Sequence, residues 1–263
     1  MKKNSLLHPI VTPFAKMPIG HRATAVFFWL FSTIYIWSIA GDPIPKPITV
    51  MQDLIDFAQQ SDFWLNLGAS LWLTIKAMMF SIILACILAY SSVLGFVKPI
   101  VEVLVKIRYM SIMGFVFVFI IMIPSSDVTK MASLMFGIVP FFTLSLVSTI
   151  ERIPSNFYDI WTTLRYSKWE QVLQVVIIGH MDYLFETIRT NFAICWIMIS
   201  MVETQVMSDG GLGVMLYKNR RVADLDKQFA IQLVILLLAV MFDYIMQQVR
   251  YECFPYVKLS EKK

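Results

Sequence analysis

The chain is predicted to be an all-α membrane protein with six transmembrane helices. Composition and one repeated pattern carry that prediction. Of 263 residues, 58% are hydrophobic and 15% charged, and the mean hydropathy is +0.68. A soluble domain carries about 25% charge, so lipid is the main solvent here. Six apolar runs approach the ~20 residues that a helix rising about 1.5 Å per residue needs to span a bilayer.

The runs are Ala23–Ala40, Leu65–Val93, Tyr109–Pro124, Lys130–Ile150, Tyr183–Met207 and Phe229–Val249. The third is short and bounded by Pro124. An even number puts both termini on one side, and the excess of Lys and Arg in cytoplasmic segments decides which. With the N-terminus inside, fourteen of the 22 Lys and Arg fall inside and six outside; Lys76 and Arg189 lie within spans. The expected topology is therefore N-in, C-in.

A cytoplasmic tail, 1–22, precedes the first span. It begins MKKNSLLHPIVTPF, with no long apolar core, and is not read as a cleaved signal peptide. The first outer loop, Gly41–Phe63, opens on a proline-rich stretch that breaks helix and sheet. Met51, Leu54, Ile55 and Ala58 then follow at helical spacing opposite Asp53 and Asp56. This reads as an amphipathic helix, either interfacial or simply packed on the bundle.

The segment Arg152–Asp182 is polar-speckled and lies between two spans, on the cytoplasmic side in this topology. Its first half places Phe157, Ile160, Trp161 and Leu164 on one helical stripe, with Ser155 as N-cap. Its second half opens on Ser167-Lys168-Trp169-Glu170, the S-x-x-E of a capping box, followed by a stripe of Trp169, Val172, Leu173 and Val176. Two capped helices with apolar faces outside the membrane have three uses: packing on their own bundle, lying on the inner leaflet, or docking a soluble partner. Trp161 and Trp169 have the size of interface anchors.

Charges at membrane depth are costly and usually face a bundle interior or a water-filled path. Lys76, Arg189, Glu203 and Asp243 qualify, with Asn191 close to Arg189. Arg189 and Glu203 are about 21 Å apart along one helix and do not pair. Asp243 can pair with Lys76 or Arg189. A structural ion pair is the ordinary reading of each charge, and a translocation path the sharper one.

Several classes are excluded. No basic run interleaved with aromatics points to nucleic acid. Cys86, Cys195 and Cys253 have no CxxC spacing and read as small buried groups. The three histidines, at 8, 21 and 180, make no ligand spacing and no Ser-His-Asp set. The 17 methionines form no Met-x-x-Met array. No G-x-x-x-x-G-K-[ST] phosphate loop occurs, so any ATP is handled by another polypeptide. The chain is read as a non-enzyme with no cofactor of its own.

Asp159-Ile160-Trp161, then Arg165, then Val175-Val176-Ile177-Ile178 resembles the EAA loop of ABC-importer permeases: E-A-A, three residues, G, nine residues, I-x-L-P. Further matches follow in order. Ala69-Ser70-Leu71 resembles the start of the family's core domain, Ile188-Arg189 its G-L-R, Glu203 its A-E, and Gly210-Gly211-Leu212-Gly213 its G-G-L-G. Asp243 sits where the family often has Asp in its last span. The resemblance covers about 67–256 and is nearest to nitrate-, sulfonate- and taurine-type permeases. Asp replaces Glu at 159, Ile and Trp replace the two Ala, Arg165 replaces Gly, and Ile178 replaces Pro.

The resemblance implies a type I ABC-importer permease fold in the inner (plasma) membrane. Its core domain, 67–256, would follow the first span and outer loop, 23–66, and precede a cytoplasmic tail, 257–263. The loop 152–182 would seat its helices in a groove of a separate ATPase, which holds ATP and Mg. Phe157, Asp159, Ile160, Trp161, Leu164, Arg165, Ser167, Trp169, Glu170, Val175 and Ile178 are the implied coupling residues. The partners implied are that ATPase, an extracytoplasmic solute-binding protein and a second permease copy. Lys218, Arg220 and Arg221 are candidates for meeting an acidic patch on the binding protein. The solute is expected to be a small anion, such as nitrate, a sulfonate, taurine or bicarbonate. The rival classes are a permease-like scaffold or assembly protein without transport, and an ATP-independent carrier.

Overall fold

The computed structural model describes residues 19–41 and 43–260; the expected N-terminal tail falls outside it up to residue 18, as do 261–263 of the expected C-terminal tail. Among the described residues all regular structure is helical. The elements are α1 (Ile19–Ile39), α2 (Pro47–Gln59), α3 (Ser61–Ser91), α4 (Lys98–Val105) with a 3-10 turn (Lys106–Tyr109), α5 (Ile112–Met122) and α6 (Ser126–Glu151). Then come α7 (Ser155–Thr163), α8 (Lys168–Gln171) running into a π-helical segment (Val172–Ile178), α9 (Met181–Gln205), α10 (Leu212–Arg221), α11 (Leu225–Cys253) and α12 (Pro255–Ser260).

Three of these, α3, α6 and α11, are long and apolar enough to cross a membrane. The stretch from α4 to α5 makes a fourth if its two helices, bent by 101°, count as one span. The chain is thus an all-α, membrane-embedded protein. The apolar part of α1, Ala23–Ile39, is shorter. Helix α9 has the length, 25 residues, but carries Asp182, Glu186, Arg189 and Glu203. A helix enclosed by its neighbours tolerates such charges better than one facing lipid.

The third expected run, Tyr109–Pro124, is corrected. Its helix is 11 residues long, about 16 Å of rise, roughly half a hydrocarbon core. The loop expected before it is instead α4, started by Pro99 in the first turn.

The core sits where α3, α6 and α9 meet, with α11 and α2 closing one side. Helix α3 turns Ser70, Thr74, Ala77, Ser81, Ala85 and Ala89 inward, all buried. Small residues at three- and four-residue steps let helix backbones approach, which is how apolar helices gain contact where lipid removes the hydrophobic drive. Thr74 and Ser133 return their hydroxyls to Ser70 and Thr129 carbonyls at 2.7 Å, so these two cross the core satisfied, whereas the buried Ser81 Oγ has no partner. Gly137 is needed for a similar reason: a Cβ there would fall 2.2 Å from Ile112 Cδ1 and 2.8 Å from Met198 Sδ.

Helix α2 confirms the amphipathic expectation but corrects its face. Val50 and Phe57 are buried against the core with Leu54 packed beside them, while Met51, Ile55 and Ala58 are exposed. Packing on the bundle, mainly on α11, is therefore its main contact.

Candidate functional site

The insert between α6 and α9 is built from local signals. Helix α7 opens on Pro154 in extended conformation, and Ser155 is its first helical residue rather than its N-cap. No side chain caps this end; the rigid φ of proline sets the entry instead. The other end closes as a Schellman motif. Tyr166 N–H donates to the Trp161 carbonyl at 3.1 Å and Arg165 N–H to the Thr162 carbonyl at 3.0 Å. Arg165 has φ +60°, the left-handed conformation for which such turns normally use Gly. The turn thus forms with arginine in the position where glycine is usual. Trp161 and Tyr166, the residues that this motif brings together, meet edge to face at 4.8 Å.

The capping box of α8 forms as expected. Glu170 N–H donates to Ser167 Oγ at 3.3 Å, and Ser167 N–H donates to Glu170 Oε2 at 2.7 Å. These bonds from Ser167 hold the Glu170 carboxyl below its usual range. After one turn the helix widens into π geometry, a form that tends to occur at functional sites. Gly179 N–H closes it onto the Gln174 carbonyl at 2.9 Å, and His180 Nδ1 lies 2.6 Å from the Val175 carbonyl at the junction with α9.

The insert has an inner and an outer face. Ile153, Val175 and Val176 are buried together, with Ile150, Tyr158, Trp161, Val172 and Tyr90 packed against them. This small core seats the insert on the ends of α3 and α6. Two expected coupling residues therefore face inward: Val175 is buried, and Trp161 is half-buried beneath Tyr166. Periodicity could not separate Trp161 from Trp169, because both lie on correct stripes. Trp169 is 69% exposed, and Phe157, Ile160, Leu164, Leu173 and Ile178 also point out. Asp159, Arg165 and Glu170 lie exposed among them.

A second polar assembly lies at the far end of α9. Glu203 is 1% exposed. Ser70 Oγ donates to its Oε1 at 2.6 Å, and Gly213 N–H donates to its Oε2 at 2.7 Å. Leu212 N–H donates to Ser70 Oγ at 2.8 Å, and Gly211 N–H to Asn66 Oδ1 at 2.7 Å. Successive backbone amides of the glycine loop are thus tied to α3 and α9. The glycines are required by this contact. A Cβ on Gly211, where φ is +121°, would fall 2.3 Å from Glu203 Oε1; one on Gly213 would fall 2.7 Å from Glu203 Cβ. Lys130, only 2% exposed, donates to the Gly210 carbonyl at 3.2 Å and lies 3.7 Å from Asp209. Ser126 donates to Asp209 as well.

The remaining expected charges are paired. Lys76 meets Asp127 at 2.7 Å. Arg189 donates to both Asp243 oxygens, at 2.6 and 3.3 Å. Glu186 Oε2 accepts from Arg189 at 3.3 Å and from Arg250 at 2.7 Å, extending the pair into a four-residue network between α9 and α11. Asn191 is buried, its amide donating to the Thr187 carbonyl at 2.8 Å, and its Oδ1 has no partner. Lys218, Arg220 and Arg221 are exposed in the last turn of α10, where cations also complement the helix dipole.

Sequence reasoning missed Ser70 as a partner, Lys130 as a buried cation, and Glu186 and Arg250 as network members. Lys130 gave little signal, because it is the first residue of the expected run Lys130–Ile150 and reads as a cation at the span's outer end. Among the described residues no group of three or more His, Cys, Asp or Glu could hold a metal. No protein-family model matches the chain, and no curated protein does either.

Proposed function

We propose that the chain is the permease subunit of an ABC importer. In this reading it crosses the inner membrane six times, N-in and C-in: by α1, α3, the bent α4–α5 pair, α6, α9 and α11. It carries a small anion such as nitrate, a sulfonate, taurine or bicarbonate. Its partners are a separate ATPase holding ATP and Mg, an extracytoplasmic solute-binding protein and a second copy. Lys218, Arg220 and Arg221 would face that binding protein.

One observation carries the reading. The insert is seated on α3 and α6 through Ile153, Val175 and Val176, yet turns Phe157, Ile160, Leu164 and Trp169 outward. A segment that only packed on its own bundle would have no need of a second apolar face. A partner bound there would push on the inner core and thus on the ends of α3 and α6. It would also act through the π segment and His180 on α9. Transport would follow from a rigid-body switch between packed arrangements of these helices.

Co-purification with the co-encoded ATPase tests this. Leu164→Asp and Trp169→Asp, both on the outer face, should abolish capture without lowering the melting temperature. Trp161→Asp should destabilise the insert itself, because that ring is packed inward. Capture retained in both outer-face variants would sink the docking role. Capture without ATP-dependent uptake would indicate a scaffold, and uptake without any ATPase a carrier.

A further inference from the structure

We propose that the angle between α4 and α6 binds one anionic phospholipid of the leaflet adjoining α4. An apolar cavity of about 330 Å³ is lined by Leu84, Leu88, Val105, Phe136, Val139 and Pro140, among others. A second cavity, of about 300 Å³, adjoins it through Val105 and is lined by Ser92, Lys98, Lys106, Arg108 and Tyr109, with Glu102 and Glu151. Both lie beside α4 and its 3-10 turn, just before the chain bends by 101° into α5. Their order along α6 is that of a lipid. From Pro140 to Glu151 is about 16 Å of helix rise, roughly half a hydrocarbon core, with the apolar cavity deep and the cationic one at the helix end.

The charges favour an anionic headgroup. Lys98 is held by Glu151 at 2.8 Å. Lys106 and Arg108 have no ion pair among the described residues, and Arg108 donates to Tyr109 Oη at 2.6 Å. Glu102 is the opposing carboxylate of the second cavity. Between the two levels, Thr143 lines the apolar cavity, is 1% exposed, and its Oγ1 has no hydrogen-bond partner. A glycerol ester carbonyl is the acceptor that this hydroxyl lacks. The proposal needs only membrane embedding and is independent of the transport reading.

Native mass spectrometry of the full chain, released from nanodiscs of mixed phosphatidylglycerol and phosphatidylcholine, tests it. One phosphatidylglycerol should be retained preferentially. Cations near a membrane surface each contribute on the order of a five-fold preference, so Lys106→Gln with Arg108→Gln should lower the selectivity roughly 25-fold. Leu84→Trp, which fills the apolar end from a half-exposed position, should lower retention of both lipids. Glycerol phosphate alone should not compete, because it lacks the chains. Equal retention of both lipids, unchanged selectivity in the double variant, or competition by glycerol phosphate would overturn the proposal. So would a dimer that Leu84→Trp dissociates, since a second copy would then occupy the groove.

Discussion

Glu203→Ala should be among the most damaging single changes outside the apolar core. The carboxylate accepts from the Ser70 hydroxyl and the Gly213 N–H, in a site that is 1% exposed. Removing it strands both donors, at about 1–3 kcal/mol each for buried groups without a partner. Lost packing over Gly211 and Gly213 adds to this. A loss of about 3–5 kcal/mol corresponds to a fall in melting temperature of roughly 6–20 °C for a chain of this size. Glu203→Gln keeps the volume and one acceptor, and should lose about half as much. Cys195 provides the assay. It is fully buried on the same helix, two turns away, so a thiol-reactive dye reaches it only when α9 separates from its neighbours. With Cys86 and Cys253 replaced by Ala, labelling against temperature reports that opening. A melting point within 2 °C of the parent for Glu203→Ala would refute the clamp.

Three further changes probe the same logic. Gly211→Ala should cost at least about 2 kcal/mol, because its Cβ overlaps Glu203 and its φ of +121° is strained for any side chain; in the Glu203→Ala background most of the steric part should vanish, which the Cys195 assay can read. Arg165→Gly should stabilise the α7 turn by up to about 1 kcal/mol, since a left-handed φ costs an L-residue about that much or more and unfolded-state entropy returns part of it; slower amide exchange at Tyr166 checks it, and faster exchange would count against it. Glu170 has a depressed pKa, so its cap strengthens the insert above the unfolded value of about 4.3 and is lost as pH falls through the folded one; exchange over 167–178, corrected for intrinsic rates, should accelerate below about pH 4 in the parent but show no such dependence in Glu170→Gln.

What the sequence made legible was local. The S-x-x-E box needs only four residues, and it formed as read. The long apolar runs behind α3, α6 and α11 exceed any competing pattern. Contacts across the chain were not legible. Glu203, Gly213 and Ser70 each stood out, but nothing in their spacing joins a carboxylate to an amide ten residues later around a turn, or to a hydroxyl 133 residues earlier. Ser155 was misplaced by one residue because a serine before an apolar stripe signals a cap, whereas Pro154 already fixes the entry. Helix α4 was missed because Lys98, Glu102 and Lys106 made a short helix resemble a charged loop. Trp161 and Trp169 share one periodic signal and diverge only when the inner core of Ile153 and Val176 takes one of them.

Helix α9 is the element on which both polar assemblies converge. At one end Glu203 fixes it to α3 and to the glycine loop. Toward the other, Glu186 and Arg189 bind it to Asp243 and Arg250 of α11. Asp182 is buried at its start, next to the π segment. Tied at both ends, α9 has little freedom to bend alone, so a displacement of the insert would move it as a rod. The two fastenings differ in kind. The Glu203 end is buried within the bundle, whereas Arg189 and Asp243 are partly exposed at membrane depth, where losing a partner is costly. The end nearer the insert is therefore held by charges with a choice of partners: Glu186 serves both arginines, and Arg189 serves both carboxylates. A displacement entering from the insert would meet that charge network first and the Glu203 clamp last.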